Sequence, residues 1–342
     1  MNTSTDNKDS PNPKAIALWL YSCAFMVFAM MVIGAITRLT ESGLSMVEWR
    51  PLIGALPPLS TEEWQRVFDL YRETPEYQKK NSWMGIEDFK TIFFWEWFHR
   101  FWGRLIGIVF ALPLAFFWIR KMIPAGYHLK LLGLLILGGL QGLMGWYMVQ
   151  SGLIDQPAVS HYRLAAHLSL AFVILALLLL TAFSLHVKTM HPNRALHTHS
   201  AIALLFLSIT IIWGAFTAGL DAGLVYNESF PKMGGAWMPP DFWKYDTIWI
   251  NILENHSAVQ FAHRWLATAS VLVVLSLWIH GLLRNAAFPA LHILAIFSLL
   301  QMGLGIATLL SGINIHLAAT HQAGAAILFA TLILCWFQTR KT

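Results

Sequence analysis

Long apolar stretches separated by shorter polar segments dominate the pattern of this chain. Eight of these stretches are long enough to cross a hydrocarbon core about 30 Å thick. They cover residues 15–36, 92–119, 129–149, 162–187, 201–220, 257–283, 291–310 and 317–337. Because apolar residues run continuously and do not alternate with polar ones, the stretches predict helices and not the strands of a membrane barrel. The pattern therefore predicts an all-α membrane protein with eight transmembrane helices.

The composition agrees with a membrane protein. Of the 342 residues, 56% are hydrophobic and only 12% are charged, whereas a soluble domain carries about twice that share of charged residues. The formal net charge of +5 does not indicate nucleic-acid binding, because the basic residues follow the membrane topology. We therefore expect a lipid bilayer around the protein and no nucleic acid as a partner.

The basic residues also predict the orientation in the membrane. The odd-numbered connections 150–160 and 311–315 contain neither Lys nor Arg. The tails and the even-numbered connections contain Lys14, Arg120, Lys121, Lys130, Lys188, Arg194, Arg284, Arg340 and Lys341. By the positive-inside rule, both termini are cytoplasmic and the long first loop, 37–91, faces the periplasm. The polar first fourteen residues resemble neither a signal peptide nor a transit peptide, so we expect a multi-pass protein of a bacterial inner membrane.

The chain also matches itself. Residues 34–44 align without gaps on residues 214–224, with five of eleven positions identical, and Glu41 falls on Asp221. Each half contains four predicted spans, and four is an even number. Both halves therefore enter the membrane from the same side, which predicts a parallel repeat about a pseudo-twofold axis along the membrane normal.

The repeat predicts how the chain is divided. We expect two four-helix bundles packed side by side, covering residues 15–187 and 201–338. A cytoplasmic linker, 188–200, joins them, and a polar cytoplasmic tail, 1–14, precedes the first.

Four of the fourteen histidines are candidate haem ligands. They are His99, His167, His263 and His321. Each lies one to two turns inside an even-numbered span, so we expect all four at similar depth near the periplasmic face. An ionisable side chain within a span is costly and marks a functional site by default. Since two facing imidazoles hold six-coordinate haem iron, the pattern predicts one bis-histidine haem site in each half.

The neighbours of these histidines are small or basic. Gly103 and Gly107 follow His99 at four-residue spacing, which leaves room for a flat porphyrin, although small residues also serve ordinary helix packing. Arg100 and Arg264 directly follow two of the histidines. With Arg38 at the end of the first span, they are candidates for pairing with haem propionates. The alternative is that these arginines only mark the membrane interface.

One asymmetry separates the halves. Glu96 stands three residues before His99, whereas Gln260 stands three residues before His263. A carboxylate at this depth is costly unless it is paired or functional. Arg100, four residues further on, is its candidate partner in a purely structural interpretation. The other interpretation is that one half holds a permanent haem and the other a haem on which Glu96 acts.

These motifs resemble those of the haem A synthase family. They are Glu-Trp-Phe-His-Arg at 96–100, Gln-Phe-Ala-His-Arg at 260–264, His167 and His321, the run 37–45, and the first-loop segments 49–58 and 74–77. The resemblance covers essentially the whole chain after Pro13, and it points to the branch shared by proteobacteria and mitochondria. It implies oxidation of the C8 methyl group of haem O to the formyl group of haem A, with oxygen from water.

The resemblance also implies roles for the histidines. The pair His263 and His321 would hold a haem b cofactor, with Arg264 beside it. The pair His99 and His167 would hold the iron of the substrate haem, with Arg100 beside it.

The catalytic carboxylate of the family falls on Glu96, where it would stabilise a cationic intermediate or handle protons. Electrons would leave through haem b to a quinone or protein acceptor, and haem O would come from the haem O synthase, a protohaem farnesyltransferase. A homo-oligomer is compatible with the sequence but not required by it. Some family members carry a cysteine pair in the first loop, and residues 37–91 contain none, so a redox role of that pair does not transfer.

Two other functions compete with this interpretation. A di-haem electron carrier of the cytochrome b type would hold both haems permanently and would not depend on Glu96. A transporter would need broken helices or charges near the bilayer midplane, whereas the ionisable residues of these spans lie near one face.

Overall fold

The computed structural model describes residues 11–48, 56–153 and 158–340. Within these ranges the protein is all-helical and contains no β-strand. Its α-helices are α1 Pro13–Leu39, α2 Thr61–Arg72, α3 Ile86–Ile119, α4 His128–Leu153, α5 His161–His186, α6 Arg194–Gly219, α7 Ile248–Glu254, α8 His256–Leu283, α9 Pro289–Leu310 and α10 Ile315–Thr339. All of these except α2 and α7 are long and apolar enough to cross a membrane. The prediction of an all-α protein with eight transmembrane helices is confirmed.

The first long connection is more structured than its polar sequence suggested. It contains α2 and a short π-helix, Tyr77–Asn81, and α3 begins at Ile86, six residues before the predicted span. The first turn of α3 is polar. The carboxylate of Asp88 accepts a hydrogen bond from the Gly85 amide at 3.0 Å and so stabilises this helix start. Acidic residues favour a helix N-terminus electrostatically. A hydropathy pattern detects only the apolar part of such a helix.

Aromatic side chains hold α2 against the start of α3. Phe68 and Tyr71 of α2 are buried against Phe89 and Phe93 of α3, and the rings of Tyr71 and Phe89 stack with centroids 5.1 Å apart. Buried aromatic side chains contribute large apolar areas, and their ring contacts add to that stabilisation. The connection is therefore packed onto the bundle and forms part of it.

The long helices form two rings of four. In the first ring, α1, α3, α4 and α5 each contact their two neighbours, and in the second ring α6, α8, α9 and α10 do the same. The rings meet where α5 packs on α6 and α10 and where α1 packs on α10. Two adjacent four-helix bundles are the architecture that the sequence predicted. The pseudo-twofold relation between them stays a prediction.

The main apolar core lies towards one end of the bundles. It is built mainly from the first halves of α1 and α6 and the second halves of α5 and α10, which meet at the end that carries the termini. The opposite end carries the two long connections, 40–85 and 220–255, and we refer to it as the long-loop end. The four candidate histidines lie towards this end, where less of the interior is filled by the apolar core.

Candidate functional site

The four candidate histidines occupy comparable places in four different helices. His167, His263 and His321 lie six or seven residues after the starts of α5, α8 and α10, and His99 lies thirteen residues into the longer α3. Each of these residues is partly exposed. His99 and His167 are within electrostatic range of each other, as are His263 and His321. The structure thus brings the histidines together as one pair in each ring.

A glycine of the preceding long helix lies against each of these rings. The pairs are Gly34 with His99, Gly145 with His167, Gly214 with His263, and Gly305 with His321. In all four pairs the histidine atom nearest to the ideal Cβ position of the glycine is Cε1, which lies between the two ring nitrogens. A Cβ atom at any of these glycines would occupy the space beside the imidazole edge.

The second ring of helices fixes its histidines by hydrogen bonds. His263 Nδ1 lies 3.2 Å from the backbone carbonyl of Thr210. Because a carbonyl only accepts, Nδ1 carries the proton and Nε2 keeps its lone pair. The side-chain amide of Gln301 donates to His321 Nδ1 at 3.0 Å and to the His321 carbonyl at 2.8 Å, so Nδ1 of His321 is an acceptor, unlike Nδ1 of His263.

The first ring holds its histidines differently. Gln141 donates to the backbone carbonyl of His167 at 3.1 Å, and its amide nitrogen also lies 3.4 Å from His167 Nε2. However, the buried Nδ1 atoms of His99 and His167 have no hydrogen-bond partner among the described residues. Unpaired buried polar atoms are uncommon, and each requires an explanation. The two histidine pairs therefore differ in the surroundings of their Nδ1 atoms.

Glu96 connects α3 to the first long connection. Its side chain is only 3% exposed. One carboxylate oxygen accepts hydrogen bonds from the Ser45 hydroxyl at 2.7 Å and from the Met46 amide at 2.6 Å, and the other accepts from Arg100. A buried carboxylate is tolerated when such partners compensate for lost hydration. The pairing with Arg100 that the sequence offered as a structural interpretation is present in the structure.

Gln260 makes the corresponding connection in the second ring, but it donates to the long connection whereas Glu96 accepts from it. Its amide donates to the carbonyls of Ala222, at 2.8 Å, and of Val225, and its oxygen accepts from Arg264 at 2.9 Å. In the repeat alignment, Val225 is the counterpart of Ser45. Each ring thus ties its long connection to the helix of its first histidine. A carboxylate takes part in one ring and a neutral amide in the other.

The arginines are bonded within the protein. Arg100 donates to the Met46 carbonyl at 3.0 Å, and Arg264 donates to the Tyr226 carbonyl at 2.6 Å. Arg38 forms an ion pair with Asp221 at 2.7 Å and so joins the two rings. These contacts stabilise the loops around the site. All three arginines, which the sequence made candidates for pairing with haem propionates, therefore have structural partners within the protein.

A second buried carboxyl group lies in the first long connection. Glu76 is 4% exposed and accepts a hydrogen bond from the Tyr71 hydroxyl at 3.0 Å, which in turn accepts one from Asn81 at 2.8 Å. Burial raises the pKa of Glu76 to about 7, and the nearby carboxylates of Glu96 and Glu41 act in the same direction. Glu76 belongs to the first-loop segment 74–77, but the sequence alone indicated no role for it.

The donor set fits haem iron better than a bare metal ion. No group of three or more His, Cys, Asp or Glu side chains that could hold a metal ion occurs within the described ranges. A bis-imidazole haem needs only two protein ligands, because the porphyrin supplies the other four. His263 and His321 supply two imidazoles in one ring of helices, and His263 presents a free Nε2 lone pair.

Comparison with known proteins agrees with this geometry. A family model described as "Cytochrome oxidase assembly protein" matches residues 17–333. The chain belongs to this family. A "Heme A synthase" of Rhodospirillum centenum is 52% identical over 331 residues, covering 94% of this chain and 87% of the relative. A "Heme A synthase" of Nitrosospira multiformis is 44% identical over 342 residues, covering 96% and 94%. One of Parvibaculum lavamentivorans is 44% identical over 327 residues, covering 95% and 94%.

These relatives confirm the resemblance to the haem A synthase family that the motifs indicated. Most of the matching motifs lie in described residues, but the segment 49–55 of the first-loop motif lies outside them. The sequence had left His161 unassigned. Its Nε2 lies 3.1 Å from the Leu253 carbonyl, which links α5 to α7 and gives it a structural place between the rings.

Several site residues of this family member were not identified from the sequence. They are Ser45, Met46 and Thr210, together with the four glycines beside the histidines. The repeat carried a signal for the glycines, because Gly34 aligns with Gly214 and Gly145 with Gly305. The backbone donors and acceptors left no such signal, since every residue type except proline offers the same groups.

Proposed function

We propose that this protein is a haem A synthase that oxidises the C8 methyl group of haem O to a formyl group. The observation that carries the proposal is the pair of unequal bis-histidine arrangements, with a buried carboxylate beside only one of them. Family membership and the names of the relatives support the same activity. The product, haem A, would serve cytochrome oxidases.

The proposed reaction needs a sink for electrons and protons. Converting a methyl group to a formyl group with oxygen from water releases four electrons and four protons for each substrate molecule. The electrons would pass through a bound haem b to a quinone or a protein acceptor. Haem O would be delivered by the protohaem farnesyltransferase that makes it.

We assign the substrate haem to the first ring. The Nδ1 atom of His99, which has no partner among the described residues, supports a looser grip than that on His263 in the second ring. A hydrogen bond to Nδ1 fixes the tautomer and orientation of a ligating imidazole. Ligands without it suit a haem that must enter, react and leave.

We assign the haem b cofactor to the second ring. When bound, haem b would accept electrons and pass them on. The Thr210 carbonyl orients His263 with Nε2 available as a ligand, and Gln301 contacts His321. Arg264 holds the loop above this pair through the carbonyls of Tyr226 and Ser229. The Thr210 bond supports a permanent site because it holds His263 with its ligating nitrogen free before the cofactor arrives.

Glu96 is the proposed catalytic residue. It lies three residues before His99, on the same face of α3, and three donors fix its carboxylate. Loss of electrons from the methyl carbon develops positive charge. A carboxylate held in place in a low-dielectric site stabilises such charge without reorganising. Gln260 provides the corresponding hydrogen bonds in the other ring but supplies no charge.

The proposed setting is a bacterial inner membrane with both termini in the cytoplasm. The distribution of Lys and Arg supports this orientation, which places the long-loop end and both histidine pairs near the periplasmic face.

Pigment analysis of the purified protein tests the proposed function. The chain is produced in cells that make haem O but lack their own haem A synthase, and the extracted haems are separated by chromatography. We expect haem A together with haem b. Two stoichiometric haems b without haem A would overturn the proposal and favour the di-haem electron carrier.

A further inference from the structure

We infer that Gly34, Gly145, Gly214 and Gly305 are positioning residues that set the ring planes of the four histidines. This inference rests on the proposed ligation of haem iron by those histidines. An ideal Cβ at each glycine would lie 2.8–3.1 Å from the histidine Cε1 atom. Ordinary van der Waals contact begins at about 3.4 Å. Any side chain at these positions therefore forces the imidazole to move.

The same contact occurs in all four helix pairs. Each pair joins a helix that enters the long-loop end to the next long helix that leaves it: α1 with α3, α4 with α5, α6 with α8, and α9 with α10. The glycine always comes from the first helix and the histidine from the second. If these glycines only allowed close helix packing, we would not expect the same ring atom, Cε1, to be nearest to the Cβ position in all four pairs.

The displacement would act directly on the iron ligand. Cε1 is bonded to both Nδ1 and Nε2, so a push on this edge shifts the ligating nitrogen with it. In the second ring, His263 resists a shift because Nδ1 is tied to Thr210. Functional geometry in proteins has to hold to within about 0.5 Å. A shift of the imidazole by a few tenths of an ångström is therefore comparable to that limit.

Other glycines of the chain serve as matched controls. Gly303 lies on the same helix as Gly305, but nothing lies within 4 Å of its Cβ position. Gly219 lies on the same helix as Gly214, and its Cβ would meet the Cβ of His161 at 2.6 Å. Gly303→Ala thus tests the effect of a methyl group alone. Gly219→Ala tests tight helix packing without touching a proposed ligand ring.

The experiment compares these variants by the spectroscopy of the resident haem. Wild type, Gly214→Ala, Gly305→Ala, Gly219→Ala and Gly303→Ala are purified with bound haem and examined by electron paramagnetic resonance and redox titration. We expect Gly214→Ala and Gly305→Ala to shift the low-spin signal or add a high-spin fraction, and to move the midpoint potential. The haem signals of Gly219→Ala and Gly303→Ala should match wild type, although Gly219→Ala should unfold at a lower temperature.

A His263→Ala variant distinguishes the positioning role of the glycines from the assignment of the histidines as haem ligands. If it loses the resident haem while Gly214→Ala and Gly305→Ala keep wild-type signals and potential, the positioning role is wrong and the ligand assignment stands. If His263→Ala keeps the haem unchanged, the ligand assignment itself fails. Should Gly214→Ala not fold, Gly305→Ala decides, because the three atoms nearest to its Cβ position belong to the imidazole of His321. If Gly219→Ala changes the haem signals as much as Gly214→Ala does, helix packing explains both and the inference is overturned.

Discussion

The Nδ1 atom of His263 donates to the backbone carbonyl of Thr210 at 3.2 Å, whereas the Nδ1 atom of His99 finds no partner in the described part of the chain. The two histidines occupy matching positions in the repeat, so the difference arises from the chain around them. This difference is one basis of our proposal that the second ring holds a permanent haem and the first ring an exchanging one.

Removing single histidines should therefore have unequal effects on bound haem. We expect His263→Ala to lose the tightly bound haem, because the fixed ligand is gone. His99→Ala should keep that haem and lose haem A production. Haem content per protein, measured by pyridine haemochrome absorbance, checks both. Retention of the tight haem by His263→Ala, or its loss from His99→Ala, would reverse the assignment of the rings.

Replacing Glu96 by the residue of the other ring tests its charge. Glu96→Gln keeps an oxygen that can accept from Ser45 or Met46 but removes the negative charge. We expect haem A formation to fall by about 100-fold, the size of effect seen when one preorganised electrostatic group is removed. The content of resident haem b should not change. Ser45→Ala, which removes one of three donors, is the matched variant and should reduce the rate less. Normal haem A formation by Glu96→Gln would end the catalytic assignment.

The first long connection should become less stable as the pH rises. The pKa of Glu76 is raised to about 7 in the folded protein, so the folded state binds a proton more tightly than the unfolded state does. Stability contributed by the protonated form is present below the ordinary carboxyl pKa and is lost as the pH rises to about 7. The loss is up to about 3 kcal/mol. Hydrogen exchange of α2 at pH 5 and pH 8 measures it.

Glu76→Gln should abolish this pH dependence, because the amide stays neutral while keeping an acceptor for Tyr71. Glu73→Gln, at an exposed position nearby, is the control and should leave it unchanged. Equal protection factors of the α2 amides at both pH values in the wild-type protein, after correction for intrinsic exchange at each pH, would show that Glu76 does not lose a proton in this range.

The ion pair between Arg38 and Asp221 should contribute little to stability by itself. Both side chains are partly exposed, 26% and 48%, and exposed pairs couple by less than about 1 kcal/mol. Arg38→Gln should cost more than Asp221→Asn, because Arg38 also donates to the Ala218 carbonyl at 2.8 Å. A double-mutant cycle of thermal unfolding in detergent measures the coupling. The exposed Arg72–Asp69 pair within α2 is the control, and a coupling above about 2 kcal/mol would contradict the expectation.

The sequence alone determined the eight long helices, because hydropathy over about 20 residues is a local property that bilayer thickness makes decisive. It also singled out the four histidines, since ionisable residues inside apolar spans stand out in any hydropathy pattern. The contrast between Glu96 and Gln260 was visible as soon as the halves were aligned. The sequence motifs also indicated the protein family.

Only the tertiary structure decided what these residues touch. The partners of Glu96 are Ser45 and Met46, about fifty residues away, and Arg38 meets Asp221 across 183 positions. The polar start of α3 and the helix α2 escaped the hydropathy pattern because loop packing, and not the bilayer, stabilises them. The glycines beside the histidines follow the same rule: residue type and spacing predict which helix face a residue lies on, but helix packing determines which side chain it meets.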